Sequence, residues 1–242
     1  MLSNIISKLG PGLLYAAAAI GVSHLVQSTR AGANYGFELI WVILLANLLK
    51  YPFYKIGPLY TASTGKSLLY AYKKQGSWAV VTFLIMTLTT MFTIQAAVTI
   101  VSAGLFAEIF NLPISLISQA FVLLIFSALL IIIGKYQILD NFIKFVIILL
   151  TVTTLISVIA SLSTISTPVV SERSFSFLNK TDIFFFIAFI GWMPAPMDIP
   201  VWHSMWTVAK LKDSKVSIED SLLDFKIGFI GTALLAVGFL CL

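Results

Sequence analysis

The chain has 242 residues, of which 59% are hydrophobic and 10% are charged, and its mean hydropathy is +1.01. A soluble domain carries about 25% charged residues, so this composition excludes a water-exposed globule and predicts that lipid surrounds the protein. The net charge of +5 comes from lysines that lie between apolar runs, which is typical of a membrane topology signal and not of nucleic-acid binding. A single cysteine and two histidines exclude a disulfide framework and a zinc-finger-like cluster, and no cofactor is expected.

Seven apolar runs reach the length of about 20 residues that a membrane-spanning helix needs. These segments, numbered 1 to 7, cover residues 11–32, 36–57, 79–107, 112–134, 139–162, 182–209 and 226–242. Their length and the absence of period-two alternation argue against strands. The polar stretches at 60–78, 163–181 and 211–224 are predicted to be connecting loops. Segment 7 is apolar up to Leu242, so the chain is expected to be either a fragment or a protein that ends abruptly.

The positive charges predict how the protein is oriented in the membrane. Lysines concentrate before segment 1 and between segments 2 and 3, 4 and 5, and 6 and 7, whereas the opposite side carries Arg30, Arg173 and Lys180. The positive-inside rule then places the N-terminus in the cytoplasm. We expect a multi-pass protein of the bacterial inner (plasma) membrane.

Segment 1 loses its lipid-like character at mid-span, where Gly21, Ser23 and His24 occur together. One interpretation is a packed glycine beside a histidine that bonds to a neighbour's carbonyl. The other is a local unwinding whose freed backbone groups and His24 face a cavity.

Segment 6 contains a stronger interruption. Pro194, Pro196 and Pro200 fall within seven residues, and each removes a backbone donor and clashes with the preceding helical turn. Non-helical backbone at membrane depth is tolerated where it lines a cavity or is buried in protein. Asp198 lies in the same stretch, and an intramembrane carboxylate is a functional-site candidate by default. Alternatively, Asp198 caps the second half-helix.

Two helices broken at mid-membrane, five helices apart, are typical of transporters built from inverted repeats, which bind substrate and ions at the interruptions. The predicted fold is an all-α integral membrane protein of the five-plus-five inverted-repeat type with discontinuous helices 1 and 6, truncated after about seven helices. Residues 1–162 would form the first repeat, 163–181 an extracytoplasmic loop, and 182–242 the start of the second repeat.

The triplet Gly10-Pro11-Gly12, the stretch from Gly134 to Asp140 and the pair His203-Ser204 resemble motifs of the Nramp family of proton-coupled divalent metal transporters. The Gly10-Pro11-Gly12 triplet and the run from Ala31 to Phe37 resemble its helix 1, and Gly134 to Asp140 resembles its Gly-x-Tyr-x-x-Leu-Glu segment. In segment 6, Met193-Pro194 and His203-Ser204 resemble its Met-Pro-His-Asn and His-Ser pattern. The likeness extends from about residue 10 to 209.

The chain also departs from the family pattern. The family's helix 1 motif, Asp-Pro-Gly-Asn, is replaced by Gly21, Val22, Ser23 and His24, so its anionic ligand is absent. Neutral imidazole and thioether groups suit borderline-soft metal ions, and Asp198 could restore the lost charge. We therefore expect the metal ligands to be His24, Asp198, Met193 and Met197. The wider substrate site would comprise Gly21, Ser23, His24, Ala195 and Asp198, and the resemblance implies His203 in the proton route.

These observations predict a secondary transporter of divalent, Mn/Fe-like cations that is linked to protons. The missing helix 1 aspartate leaves open an alternative, an inverted-repeat transporter of a small organic solute, with sodium as one option for the coupling ion. Neither a His-Glu-x-x-His nor a Gly-x-Ser-x-Gly pattern is present, so no enzyme is predicted. The expected partners are the metal ion, the lipid bilayer and the remainder of the same transporter.

Overall fold

The structure, a computed structural model, describes residues 9–134, 136–164, 174–213 and 216–242. Within these residues the chain forms ten α-helices and one π-helical segment, without strands. In chain order they are α1 (Pro11–Ala19), the π-helical segment (Val22–Ser28), α2 (Thr29–Tyr35), α3 (Ile40–Thr64), α4 (Leu68–Gln75), α5 (Ser77–Phe110), α6 (Leu116–Ile133), α7 (Tyr136–Thr164), α8 (Lys180–Trp192), α9 (Ile199–Asp213) and α10 (Ile218–Leu240).

The helical architecture confirms the predicted class, a helical membrane protein. By length and composition, four of the described stretches can cross a membrane: α5, α6, residues Asn141–Ser161 of α7, and α10. Segments 1 and 6 are each divided into shorter helices, as predicted. The five-plus-five repeat stays a prediction.

Two of the predicted loops are wrong in part. The stretch 60–78 contains the end of α3 and the whole of α4, and the stretch 211–224 contains the first seven residues of α10. The start of α10 had a signal in the sequence, because Ser217 accepts a hydrogen bond from the backbone N–H of Asp220 and two acidic residues follow it in the first turn. Residues 165–173 of the predicted loop 163–181, and the side chains of the Gly134–Asp140 motif beyond Gly134, lie outside the described residues.

The chain divides into two compact units. The first comprises Met1–Ala71 and Ile143–Leu242, and the second comprises Tyr72–Phe142. In the second unit α5 packs against α6. The first unit holds both interrupted helices, and its buried side chains form three hydrophobic clusters.

Within the first unit, α1 packs closely against α10. A Cβ atom added at Gly12 would lie 2.1 Å from the carbonyl oxygen of Asp224, and one added at Gly228 would lie 2.1 Å from the carbonyl oxygen of Gly12. Neither position has room for a side chain. The two glycines therefore allow the backbones of the first and last helices to touch, as small residues do at membrane helix interfaces.

The candidate site at two helix breaks

The first break separates α1 from the π-helical segment at Ile20 and Gly21. Beyond it the chain continues in the wider π-helical turn, a geometry that occurs frequently at functional sites. A Cβ atom added at Gly21 would meet no atom within 4 Å, so open space lies beside this residue. Ser23 is buried and its hydroxyl donates to the carbonyl of Ala19 at 2.7 Å, which bridges the break.

The His24 ring is fully buried, and both of its nitrogens have partners. Nδ1 lies 2.7 Å from the hydroxyl oxygen of Ser23, and Nε2 lies 3.1 Å from the carbonyl oxygen of Thr232 in α10. The Ser23 hydroxyl has a single proton, which it can donate to the Ala19 carbonyl or to Nδ1. Since a carbonyl can only accept, Nε2 donates to Thr232. This is the first of the two interpretations of His24, a histidine bonded to a neighbour's carbonyl. As a metal ligand His24 would have to give up one of these bonds.

The second break runs from Met193 to Asp198, between α8 and α9. Its cause is local. The carbonyl of Ile190 would normally bond to the N–H of residue 194, and that of Pro196 to the N–H of residue 200, but both of those residues are prolines. The backbone oxygens at the break therefore need other donors.

One face of α3 supplies these donors. The Lys50 ammonium donates to the carbonyls of Ile190 and Met193 at 2.6 Å each, and to that of Gly191 at 3.4 Å. One turn later, the Tyr54 hydroxyl donates to the carbonyls of Ala195 and Pro196, the latter at 2.9 Å.

The next turn of α3 has a glycine on the same face. A Cβ atom added at Gly57 would lie 2.4 Å from the carbonyl oxygen of Pro200, at the start of α9. The broken segment thus runs along one face of α3, from the end of α8 to the beginning of α9, and passes Lys50, Tyr54 and Gly57 in that order.

The predicted ligands in the second break do not converge. Met193 is fully buried in a hydrophobic cluster with residues of α2 and α3, whereas the Met197 side chain is 66% exposed. Asp198 is half-buried, and its Oδ2 accepts a hydrogen bond from Nε1 of Trp202 at 2.8 Å. Its backbone carbonyl accepts from the N–H groups of Val201 and Trp202, which places Asp198 at the start of α9, but its described side-chain bond goes to the Trp202 ring and not to a backbone N–H.

The two breaks come together through an aromatic cluster. Ala19, the last residue of α1, and Ala195, in the middle of the second break, belong to one buried group with aromatic side chains from α1, α3 and α10. The aromatic members are Tyr15, Tyr54, Phe225 and Phe229. The surroundings of Ala195 are therefore apolar and aromatic apart from the tyrosine hydroxyls.

His203, on α9, is buried beside this cluster. Its ring stacks on that of Tyr15 with centroids 5.9 Å apart, and it also contacts Phe225. Within the described residues, neither of the two buried ring nitrogens has a hydrogen-bond partner. Unsatisfied buried nitrogens are costly, so their presence points to a role other than stability.

Direct bonds between the predicted ligands are absent from the described residues. There, no hydrogen bond or ion pair joins His24 to Asp198, and no group of three or more His, Cys, Asp or Glu side chains is placed to hold a metal ion.

A polar cavity of about 200 Å³ does lie between the chain beyond the first break and α8. Its lining comprises Gln27, Arg30, Asn34, Tyr35, Thr181, Phe185 and Ala188.

Two charged residues that the sequence motifs do not single out make long-range polar contacts in the structure. Lys50 lies inside segment 2, and a lysine at that depth is itself a sign of function. Asp224 was assigned to a loop, whereas its buried carboxylate accepts hydrogen bonds from the N–H groups of Gly10 and Gly12, at 3.0 and 2.8 Å. It thus caps the N-terminus of α1 from another helix.

The profile of the family described as natural resistance-associated macrophage protein-like, or Nramp, matches residues 12–241. The chain belongs to the Nramp family. Nramp proteins are transporters, so the prediction that the chain is not an enzyme is confirmed at the family level. The predicted resemblance to the Nramp family is thereby confirmed at the level of the family.

Two curated relatives show how the chain relates to known Nramp-type sequences. An uncharacterized protein of Pasteurella multocida (strain Pm70) is 38% identical over 239 residues, which cover 98% of this chain and 55% of that protein. The divalent metal cation transporter MntH of Verminephrobacter eiseniae (strain EF01-2) is 32% identical over 66 residues, which cover 27% of this chain and 15% of that protein. The chain thus spans about half the length, or less, of these relatives.

Proposed function

We propose that the full-length protein is a secondary transporter of divalent metal cations whose substrate site lies between the two breaks. Membership of the Nramp family supports this, as does the relative named a divalent metal cation transporter. The observation that carries the proposal is the meeting of the two interrupted helices in one cluster, with Asp198 at the second break. Interrupted helices at such a position present unpaired backbone groups to ions.

Asp198 is the residue best placed to attract a cation at the second break. One carboxylate oxygen accepts from Trp202, while the other has no hydrogen-bond partner in the described part of the chain. Backbone carbonyls of the unwound segment lie next to it in sequence. Carboxylate and carbonyl oxygens suit hard or borderline divalent ions such as Mn²⁺.

Proton linkage is proposed for His203. The ring is buried between Tyr15 and Phe225, and no residue in the described part of the chain bonds to either of its nitrogens. An imidazole in this setting can pass a proton without rearranging an existing bond network. His24 is less suited, because both of its nitrogens are already bonded.

The experiment is Mn²⁺ uptake into proteoliposomes that contain the full-length protein, with and without an inward proton gradient. Asp198→Asn should lower the uptake rate by about tenfold or more, as loss of a metal-site group commonly does. Glu219→Gln, which removes an exposed carboxylate at the start of α10, should leave uptake unchanged. Equal uptake by the Asp198 and Glu219 variants would refute the assignment of Asp198.

The alternative substrate, a small organic solute, is favoured by the chemistry of the residues around the two breaks. The cluster that joins the breaks is aromatic, and the first break has no acidic residue. Titration calorimetry of the full-length protein with Mn²⁺ and with amino acids distinguishes the two. Heat with amino acids and none with Mn²⁺ would favour the organic solute.

A further inference from the structure

Lys50 provides a positive charge in the middle of the candidate site. Its ammonium is half-buried and donates to three carbonyl oxygens, those of Ile190, Gly191 and Met193. These three bonds match the three donors of an ammonium group. Within the described residues, no carboxylate is paired with it.

The carbonyls that hold Lys50 form a cation-binding arrangement. They lie at the C-terminal end of α8, where the last carbonyls lack helical partners and the helix dipole is negative. Pro194 removes the N–H that the carbonyl of Ile190 would otherwise accept from. Because the Lys50 ammonium is bound by these carbonyls, this end of α8 is able to bind a cation.

The geometry points to Lys50 as an intrinsic cation that occupies this carbonyl group until the substrate cation displaces it. This inference rests on the proposed function. The lysine stem is long and flexible, so the ammonium can withdraw without moving α3. Lys50 is then a specificity-determining residue, because an entering ion must compete with a charge of +1.

Competition with an ammonium selects ions by charge. A monovalent ion such as Na⁺ has the same charge as Lys50 and gains no electrostatic advantage at the carbonyls. A divalent ion has twice the charge and interacts about twice as strongly with the same oxygens at the same distance. Lys50 therefore favours divalent over monovalent ions even though the first break lacks a carboxylate.

The first test compares Mn²⁺ affinity in the full-length protein and in two variants. Lys50→Met removes the ammonium and keeps the apolar stem, while Lys55→Met makes the same charge change five residues further along α3, at a residue outside the carbonyl group. Lys50→Met should bind Mn²⁺ about tenfold to a hundredfold more tightly, the range that corresponds to one charge-assisted hydrogen bond. An excess of Na⁺ should compete with Mn²⁺ in this variant and not in the parent or in Lys55→Met.

The second test needs no variant. An amine-acylating reagent is applied to the parent protein, and the modification of each lysine is measured by mass spectrometry. Saturating Mn²⁺ should raise the modification of Lys50 severalfold, because the displaced amine leaves its carbonyl partners, and should leave Lys55 unchanged. This result decides the question even if Lys50→Met does not fold.

The outcomes separate the two proposals. If the parent binds Mn²⁺ but Lys50→Met shows the same affinity, or Mn²⁺ does not change Lys50 modification, displacement is refuted and metal transport stands. If neither the parent nor Lys50→Met binds Mn²⁺, both proposals are refuted.

Discussion

The hydrogen bonds between Asp224 and the start of α1 predict a large loss of stability on substitution. The carboxylate is 3% exposed and accepts from two backbone N–H groups, those of Gly10 and Gly12. A hydrogen bond to a charged group contributes about 1.5–3 kcal/mol, and a buried donor left without a partner costs a similar amount. Asp224→Ala should therefore destabilise the protein by about 3 kcal/mol or more.

Thermal unfolding of the purified protein in detergent, followed by tryptophan fluorescence, measures this loss. For a chain of this size each kcal/mol lowers the melting temperature by about 2–4 °C, so a decrease of about 6–12 °C is expected. Asp224→Asn keeps one acceptor oxygen and should give a smaller decrease. Glu219→Gln, an exposed change on the same helix, should cost less than about 1 kcal/mol. An Asp224→Ala melting temperature no lower than that of the Glu219 variant would refute the capping role.

Three further substitutions test packing and polar contacts in the same unfolding assay. Gly228→Ala should destabilise by about 1–3 kcal/mol, because its Cβ would meet the α1 backbone, whereas Gly231→Ala has open space and should be neutral or stabilising. Tyr54→Phe should cost about 1–2 kcal/mol through the loss of its bonds to the second break, with Tyr51→Phe as the neighbouring control. His203→Phe keeps the aromatic stack and removes two unsatisfied nitrogens, so it should be neutral or stabilising while Mn²⁺ uptake falls; a clear loss of stability would contradict this.

The positions of the two breaks could be predicted because their causes are local in sequence. Three prolines within seven residues cannot continue a helix, and the structure interrupts segment 6 between Trp192 and Ile199. Segment 1 is interrupted next to Gly21, where the sequence changes from alanines to glycine, serine and histidine. Local chemistry decided both positions.

The partners of the site residues could not be predicted, because they come from distant parts of the chain. His24 bonds to Thr232, and Lys50 bonds to Ile190 and Met193, across separations of more than one hundred residues. A single sequence contains no signal for such pairs. Asp224 was missed for a different reason, because the polar residues of the first turns of α10 resembled a loop.

The second break is thus caused by prolines of segment 6 itself, but it is stabilised by residues of α3, which is distant in the sequence. Prolines remove the donors within segment 6, and α3 replaces them through Lys50 and Tyr54, while Gly57 lets the start of α9 approach. These three positions span eight residues, or about 10 Å of helix, on a single face. Donors spaced in this way along one helix face can satisfy an irregular segment only if the segment runs alongside the helix, which fixes the direction of the chain between α8 and α9. Substitutions on this face of α3 should therefore change the geometry of the break as strongly as substitutions within it.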